Sequence, residues 1–140
     1  SVKSFDKTGR MTREVMGDKG RHYPGVDEMH IDHVRVYAQS DNGVKINAKA
    51  NTGVATGDGE RVTMLGQAVA IRAADANAPR MELRGERLLA LVKEEKLLSS
   101  DPVEITRDKD VFNALTMNFN SKSGEYLLDG RVRGVLAPKP

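Results

Sequence analysis

Three histidines, His22, His30 and His33, carry the side chain that serves both acid–base work near neutrality and metal ligation. The run DEMHIDHVRV (27–36) reads as a strand, which sends His30 and His33 to opposite faces. Neither has the i, i+4 spacing or the cysteine partners of a zinc site, so no metal is expected and the imidazoles read as surface groups. Glu94 and Glu95 form an adjacent carboxylate pair, but KEEK (93–96) reads as a solvated hairpin tip, where acid–base catalysis has no support. The glycine-rich GVATGDG (53–59) lacks the Lys-Ser/Thr ending and the strand-to-helix setting of a phosphate cradle, and reads as a hairpin turn. Asp101, ahead of Pro102, reads as a bend in a strand. No nucleophile elbow or dinucleotide fingerprint occurs, so we expect no catalytic residues and no cofactor.

Composition narrows the partners. The 22 basic and 20 acidic residues are interspersed and leave a formal charge of +2. A nucleic-acid surface needs clustered basic residues with stacking aromatics, and this chain has three Tyr, three Phe and no Trp, so nucleic acid is not an expected partner. Cysteine is absent, which excludes a disulfide framework and leaves the compartment unread by redox chemistry. No apolar run approaches the roughly 20 residues of a membrane-spanning helix. The chain starts at Ser1 with neither an initiator Met nor a signal-peptide pattern, and a processed or truncated form is expected. At 140 residues, one domain (1–140) is expected. A chain of this size buries roughly 68 to 70% of its unfolded surface without staples.

The elements read as short strands. In VKINAKAN (44–51), Val44, Ile46, Ala48 and Ala50 alternate with polar residues, and in NALTMNFN (113–120) Leu115, Met117 and Phe119 do the same. Turn chemistry separates such runs at 6–9, 17–20, 23–25, 40–43, 56–59, 74–79 and 121–124. ERLLALVKEEKLL (86–98) is composed of helix formers, with Leu88, Leu91 and Val92 on one helical face. An internal repeat decides against the helix. DEMHIDHVRV, RVTMLGQAVA, KLLSSDPVEI and YLLDGRVRG align with Asp32, Gly66, Asp101 and Gly130 at a common pivot, spaced by 34, 35 and 29 residues. KLLSS occupies a strand slot in that alignment, so 86–98 is expected to be a hairpin with LLALV and KLLSS paired.

Hairpins that cannot bury their apolar sides alone must stack. The expected fold class is all-β, two facing sheets of stacked antiparallel strands in an open roll with an apolar interior groove. The residues assigned to that interior are Ile31, Ile46, Ala48, Met64, Leu83, Val103, Leu115, Met117, Phe119, Leu128 and Val132. Spacing alone fits an ordinary core; the small residues and flexible methionines also suit a slot for an aliphatic ligand. EYLLDGRVRGVL (125–136) reads as a terminal strand whose apolar side carries gaps at Gly130 and Gly134. Its outer edge is either blunted by Arg131, Arg133, Pro138 and Lys139 or offered for strand addition.

SFDKTGRMTREVMGDKGRHYP (4–24), followed by the repeat units, resembles the LptC family of lipopolysaccharide export components. The resemblance runs through a D-x-x-G turn (Asp6 to Gly9), an HYP turn (His22, Tyr23, Pro24) and an A-x-x-G run (Ala50 to Gly53). It continues through an L-G-x-x-V strand (Leu65, Gly66, Val69), the SSDPVEI strand and a closing L-x-G-x-V-R-G strand (Leu128 to Gly134). It covers essentially the whole chain. It implies a twisted, boat-like β-jellyroll and a non-enzymatic conduit for lipopolysaccharide, with acyl chains in the groove and sugars outside. It further implies a periplasmic location with an N-terminal inner-membrane anchor that this sequence lacks. The implied partners are the periplasmic domains of an ATP-binding-cassette transporter at the N-terminal edge and the bridge protein LptA at the C-terminal edge. That second edge would comprise Tyr126, Leu128, Gly130, Val132, Gly134 and Val135. Two other readings stay open: a soluble LptA-like bridge, and a carbohydrate-binding β-sandwich, which would need exposed aromatics.

Overall fold

Alternation of small or aliphatic residues with charged ones gives strands throughout the computed structural model, which describes residues 2–5, 11–23, 25, 27–39, 43–56, 60–76, 78–92, 94–120, 125–130 and 133–135. The first five strands are β1 (Val2–Phe5), β2 (Met11–Met16), β3 (Lys19–Tyr23), β4 (Glu28–Asp32) and β5 (Arg35–Gln39). Then come β6 (Lys45–Lys49), β7 (Thr52–Thr56), β8 (Arg61–Arg72), β9 (Met81–Leu91) and β10 (Lys96–Ser99). The last are β11 (Val103–Arg107), β12 (Asp110–Ala114), β13 (Thr116–Asn120), β14 (Tyr126–Asp129) and β15 (Arg133–Val135). Among the described residues there is no helix.

All fifteen strands belong to one hydrogen-bonded antiparallel sheet, and its pairing shows that the sheet is folded into two leaves. One leaf runs β1, β2, β5, β6, the second half of β8, the first half of β9, β11, β12 and β15. The other runs β3, β4, β7, the first half of β8, the second half of β9, β10, β13 and β14. β8 and β9 pass through both leaves, and the fold line crosses them at a bulge where Leu65 faces Arg87 but Ala68 faces Gly85. Among the described residues no pairing joins the last strands back to the first, so the described sheet stays open.

The repeat pivots are the corners. Three carry left-handed backbone: His33 (φ 51°) beside Asp32, Gly66 (φ 82°) with Gln67 (φ 49°), and Gly130 (φ 83°). At the remaining pivot, the Asp101 N–H donates to the Ser99 hydroxyl at 3.2 Å, which holds the bend ahead of Pro102. Neighbouring corners are tied by backbone bonds: Asp18 N–H to the Asp32 carbonyl, His33 to Asn51, Asn51 to Gly66, and Leu115 to Asp129, at 2.7 to 3.2 Å. They form a spine along one side of the molecule.

The core lies between the leaves. Val36, Ile46, Ala70, Met81, Leu83 and Ile105 from one leaf meet Val62, Met64, Leu88, Leu97, Met117 and Phe119 from the other in a single buried cluster. In β9 the inward positions change from Met81 and Leu83 to Leu88 and Ala90, because the strand changes leaf between them. The 86–98 segment is the expected hairpin, with Leu97 opposite Ala90 and Leu98 opposite Leu89, and the tip falls between Leu91 and Lys96.

Three expectations are corrected. Leu115 is 45% exposed: it stands at the corner between β12 and β13, where the alternation that carries Met117 and Phe119 inward no longer applies. The 125–136 stretch is two strands, because Gly130 turns the chain from β14, paired to β13, to β15, paired to β12. Of the 53–59 stretch, Gly53 to Thr56 are strand, held by pairing to β4 and β8. Val132 and the turns assigned to 6–9 and 121–124 lie outside the described residues.

Candidate functional site

Folding one sheet about a spine makes a trough between the leaves, closed at the corners. Opposite the spine, the described turns that join strands within each leaf form two lips. The 73–80 loop belongs to the first lip and the tip between Leu91 and Lys96 to the second. Ile31, Ile46, Ala48, Met64, Leu83, Val103, Met117 and Phe119 lie in the interleaf cluster, and Tyr126 and Leu128 are half-buried against it. Backbone pairing places Gly134 opposite Phe112 and Val135 opposite Val111.

The interior is packed rather than hollow, with Phe119, Met64, Met81 and Leu88 fully buried. Near the lips an apolar cavity of about 40 Å³ remains. Val36, Ala38, Val44, Ile46 and Ala48 line it from one leaf and Ala90, Leu91, Val92 and Leu97 from the other, with Glu95 and Lys96 beside them. Its volume holds only a few water-sized groups, so a longer apolar guest requires the leaves to part. Unbranched methionines on the inward face lower the cost of that repacking.

A wider depression of about 690 Å³ lies on the outer face of the first leaf along the spine, and Leu115 lines it together with Lys49, Gln67, Arg84, Glu86 and Glu104. Here the Arg84 guanidinium is held above its ordinary value by its hydrogen bond to Glu82 and by the negative charges of Glu82 and Glu104. Apolar side chains such as Ile71, Val103 and Leu115 share this open surface with the charged ones, and among the described residues it collects no set of groups suited to acid–base chemistry.

The histidines are spread out. His33 Nδ1 lies 2.8 Å from Asp18, His22 3.8 Å from Asp27, and His30 3.4 Å from Glu28 with its ring edge-on to Tyr23 at 4.6 Å. Among the described residues no three metal-ligating side chains gather. No helix of the described residues is long and apolar enough to cross a membrane. The exposed large hydrophobics among them are Tyr23, Leu115 and Leu127, which supply one aromatic ring where a sugar-stacking platform needs several.

One residue was passed over in the sequence. Arg72 is 1% exposed at the end of β8 and pairs with Asp75 at 3.2 Å. Its signal was parity: it continues the inward series of Val62, Met64, Ala68 and Ala70.

The family model for lipopolysaccharide-assembly, LptC-related proteins matches residues 1–137. Among solved structures, the chain is similar to LptH, the LptA-homologous periplasmic component of the conserved lipopolysaccharide transport device from Pseudomonas aeruginosa. That similarity has a TM-score of 0.73 at 14% identity and covers 90% of this chain and 95% of the other. The search of curated proteins found no match.

Proposed function

The chain belongs to the LptC-related family of lipopolysaccharide-assembly proteins, and on that premise we propose that it is a non-enzymatic periplasmic conduit. It receives lipopolysaccharide from an inner-membrane ATP-binding-cassette transporter, holds the acyl chains between its leaves, and passes them to an LptA-type bridge protein. An N-terminal membrane helix would keep it beside the transporter.

The observation that carries this reading is the continuous apolar interior running across an open sheet, with unsealed strands at both ends. β1 and β3 each have one neighbour among the described residues, as do β14 and β15. A partner with the same folded sheet would extend both leaves by strand addition and make the two interiors continuous. The transporter domains would take the β1 and β3 end, and the bridge protein the β14 and β15 end. Burying an acyl chain yields about 0.8 kcal/mol per methylene without polar contacts, so a guest slides between equivalent positions at little net cost. Direction then comes from ATP hydrolysis in the transporter.

Photocrosslinkers placed singly at 116 to 120 test the reading in cells. Crosslinks to lipopolysaccharide are expected from the inward positions 117 and 119 and not from 116 and 118. Uniform or absent crosslinking would sink the trough assignment.

A further inference from the structure

Among the described residues, Arg72 is the one charged residue that is buried. It faces inward. Its cross-strand partners are Ile46 on β6 and Met81 on β9, both in the interleaf core, and Ile46 also lines the apolar cavity. The guanidinium donates to the two carboxylate oxygens of Asp75 at 3.2 and 3.5 Å and to the Ala73 carbonyl at 3.5 Å. These bonds are longer than the roughly 2.7 to 2.9 Å of a tight charge-assisted pair.

Asp75 sits in the 73–80 loop of the first lip, with its side chain 21% exposed. Its carboxylate accepts from the Ala78 N–H at 2.9 Å, while its own N–H donates to the Ala78 carbonyl at 2.9 Å. Asp75 is thus held to Ala78 through both its backbone and its side chain while its partly exposed carboxylate pairs with a buried cation on the trough wall. Stability does not demand the pair, since a buried ion pair is often replaceable by apolar side chains of similar volume.

We propose that Arg72 is the anion-recognition residue of the trough and that Asp75 is its resident stand-in. The phosphate or carboxylate of an acyl-chain amphiphile displaces the Asp75 carboxylate from the guanidinium, while its chain lies between the leaves beside Ile46. The proposal rests on the lipid reading above and adds a charge requirement to it. A planar guanidinium presents paired donors that match two oxygens of such an anion. A neutral amphiphile must leave the Arg72–Asp75 pair intact and gains nothing from it. Because Asp75 organises its loop, exchange of the anion also loosens the lip, so recognition of the charged group opens the slot for the chain.

Calorimetric titration of the 140-residue chain with dodecyl phosphate, octaethylene glycol monododecyl ether and inorganic phosphate, each below any micelle concentration, tests the proposal. Dodecyl phosphate is expected to bind about tenfold more tightly than the neutral ether. In Arg72→Met that ratio falls to about one, and Asp75→Asn, which removes the competing carboxylate, tightens dodecyl phosphate about threefold or more. A ratio unchanged in Arg72→Met, or no tightening in Asp75→Asn, overturns the assignment and leaves the lipid trough standing. Inorganic phosphate binding as tightly as dodecyl phosphate also overturns it, because the site is then a plain anion site. If neither amphiphile binds, the trough reading falls and this proposal with it. Should Arg72→Met fail to fold, Arg72→Lys replaces it: the charge stays, the planar fork is lost, and the preference is expected to drop; a full preference in Arg72→Lys overturns the role of the fork.

Discussion

Gly130 carries no side chain because Leu115 occupies the space: a Cβ there would lie 2.6 Å from the Leu115 Cβ, on a backbone already at φ +83°. Gly66 has the same predicament, with Asn51 Nδ2 2.8 Å from the position of its absent Cβ and φ +82°. Gly66→Ala therefore combines left-handed strain with a clash at the spine, and a loss of about 1 to 3 kcal/mol is expected in urea unfolding. Gly25→Ala, with nothing within 4 Å of the new methyl, should cost much less. Equal midpoints for the two variants would mean that the spine is not a tight joint. The glycine gap in the terminal segment was legible in the sequence as a recurring feature at Gly66 and Gly130, but its cause was not, because the filling side chain comes from a neighbouring corner 15 residues away. The same corner explains why Leu115 was misassigned: a period of two holds along a strand and gives no information across a bend.

At the level of the elements, the pivots aligned in the sequence at Asp32, Gly66, Asp101 and Gly130 turn out to be four of the corners at which the chain changes leaf. The repeat identified stacked hairpins, and it resolved the helix-forming 86–98 segment correctly, since cross-strand packing of Leu88, Ala90 and Leu97 outweighs local propensity. What it could not convey is that each long strand serves two leaves, because both leaves use the same alternation. The terminal segment shows the consequence. Tyr126, Leu128 and Gly130 end one described leaf, while Gly134 and Val135 end the other, so a partner docking there as proposed would meet two short strands at different positions in space. Removing residues from 126 onward deletes both edges at once and is expected to abolish co-purification with an LptA-type bridge protein while β1 to β13 remain folded by circular dichroism. Retained association would move the docking site elsewhere.

On the scale of the whole molecule, the described interior is apolar except for Arg72 and Ser99, and the depression outside collects no catalytic set among the described residues. Purified protein is accordingly expected to show no ATPase or ester-hydrolase activity above buffer; a turnover that co-elutes with the monodisperse chain would refute the conduit. A full core of Phe119, Met64 and Leu88 also means that guest and core compete for the same space, so a bound amphiphile should accelerate amide exchange in the lips even as it slows it along the spine.

Among the described residues, no strand pairing bridges the two lips, and the leaves are joined only at the corners. Anything lying between them is flanked on two sides and never encircled. For the proposed conduit, a cargo with one end far too large for the interior would therefore need no threading, and its bulk would be no obstacle to travel: it would move as a runner moves along a slotted rail, hanging outside while the attached part slides within. Such a track would load sideways at any point along its length, and it would set no upper limit on the size of what hangs from it.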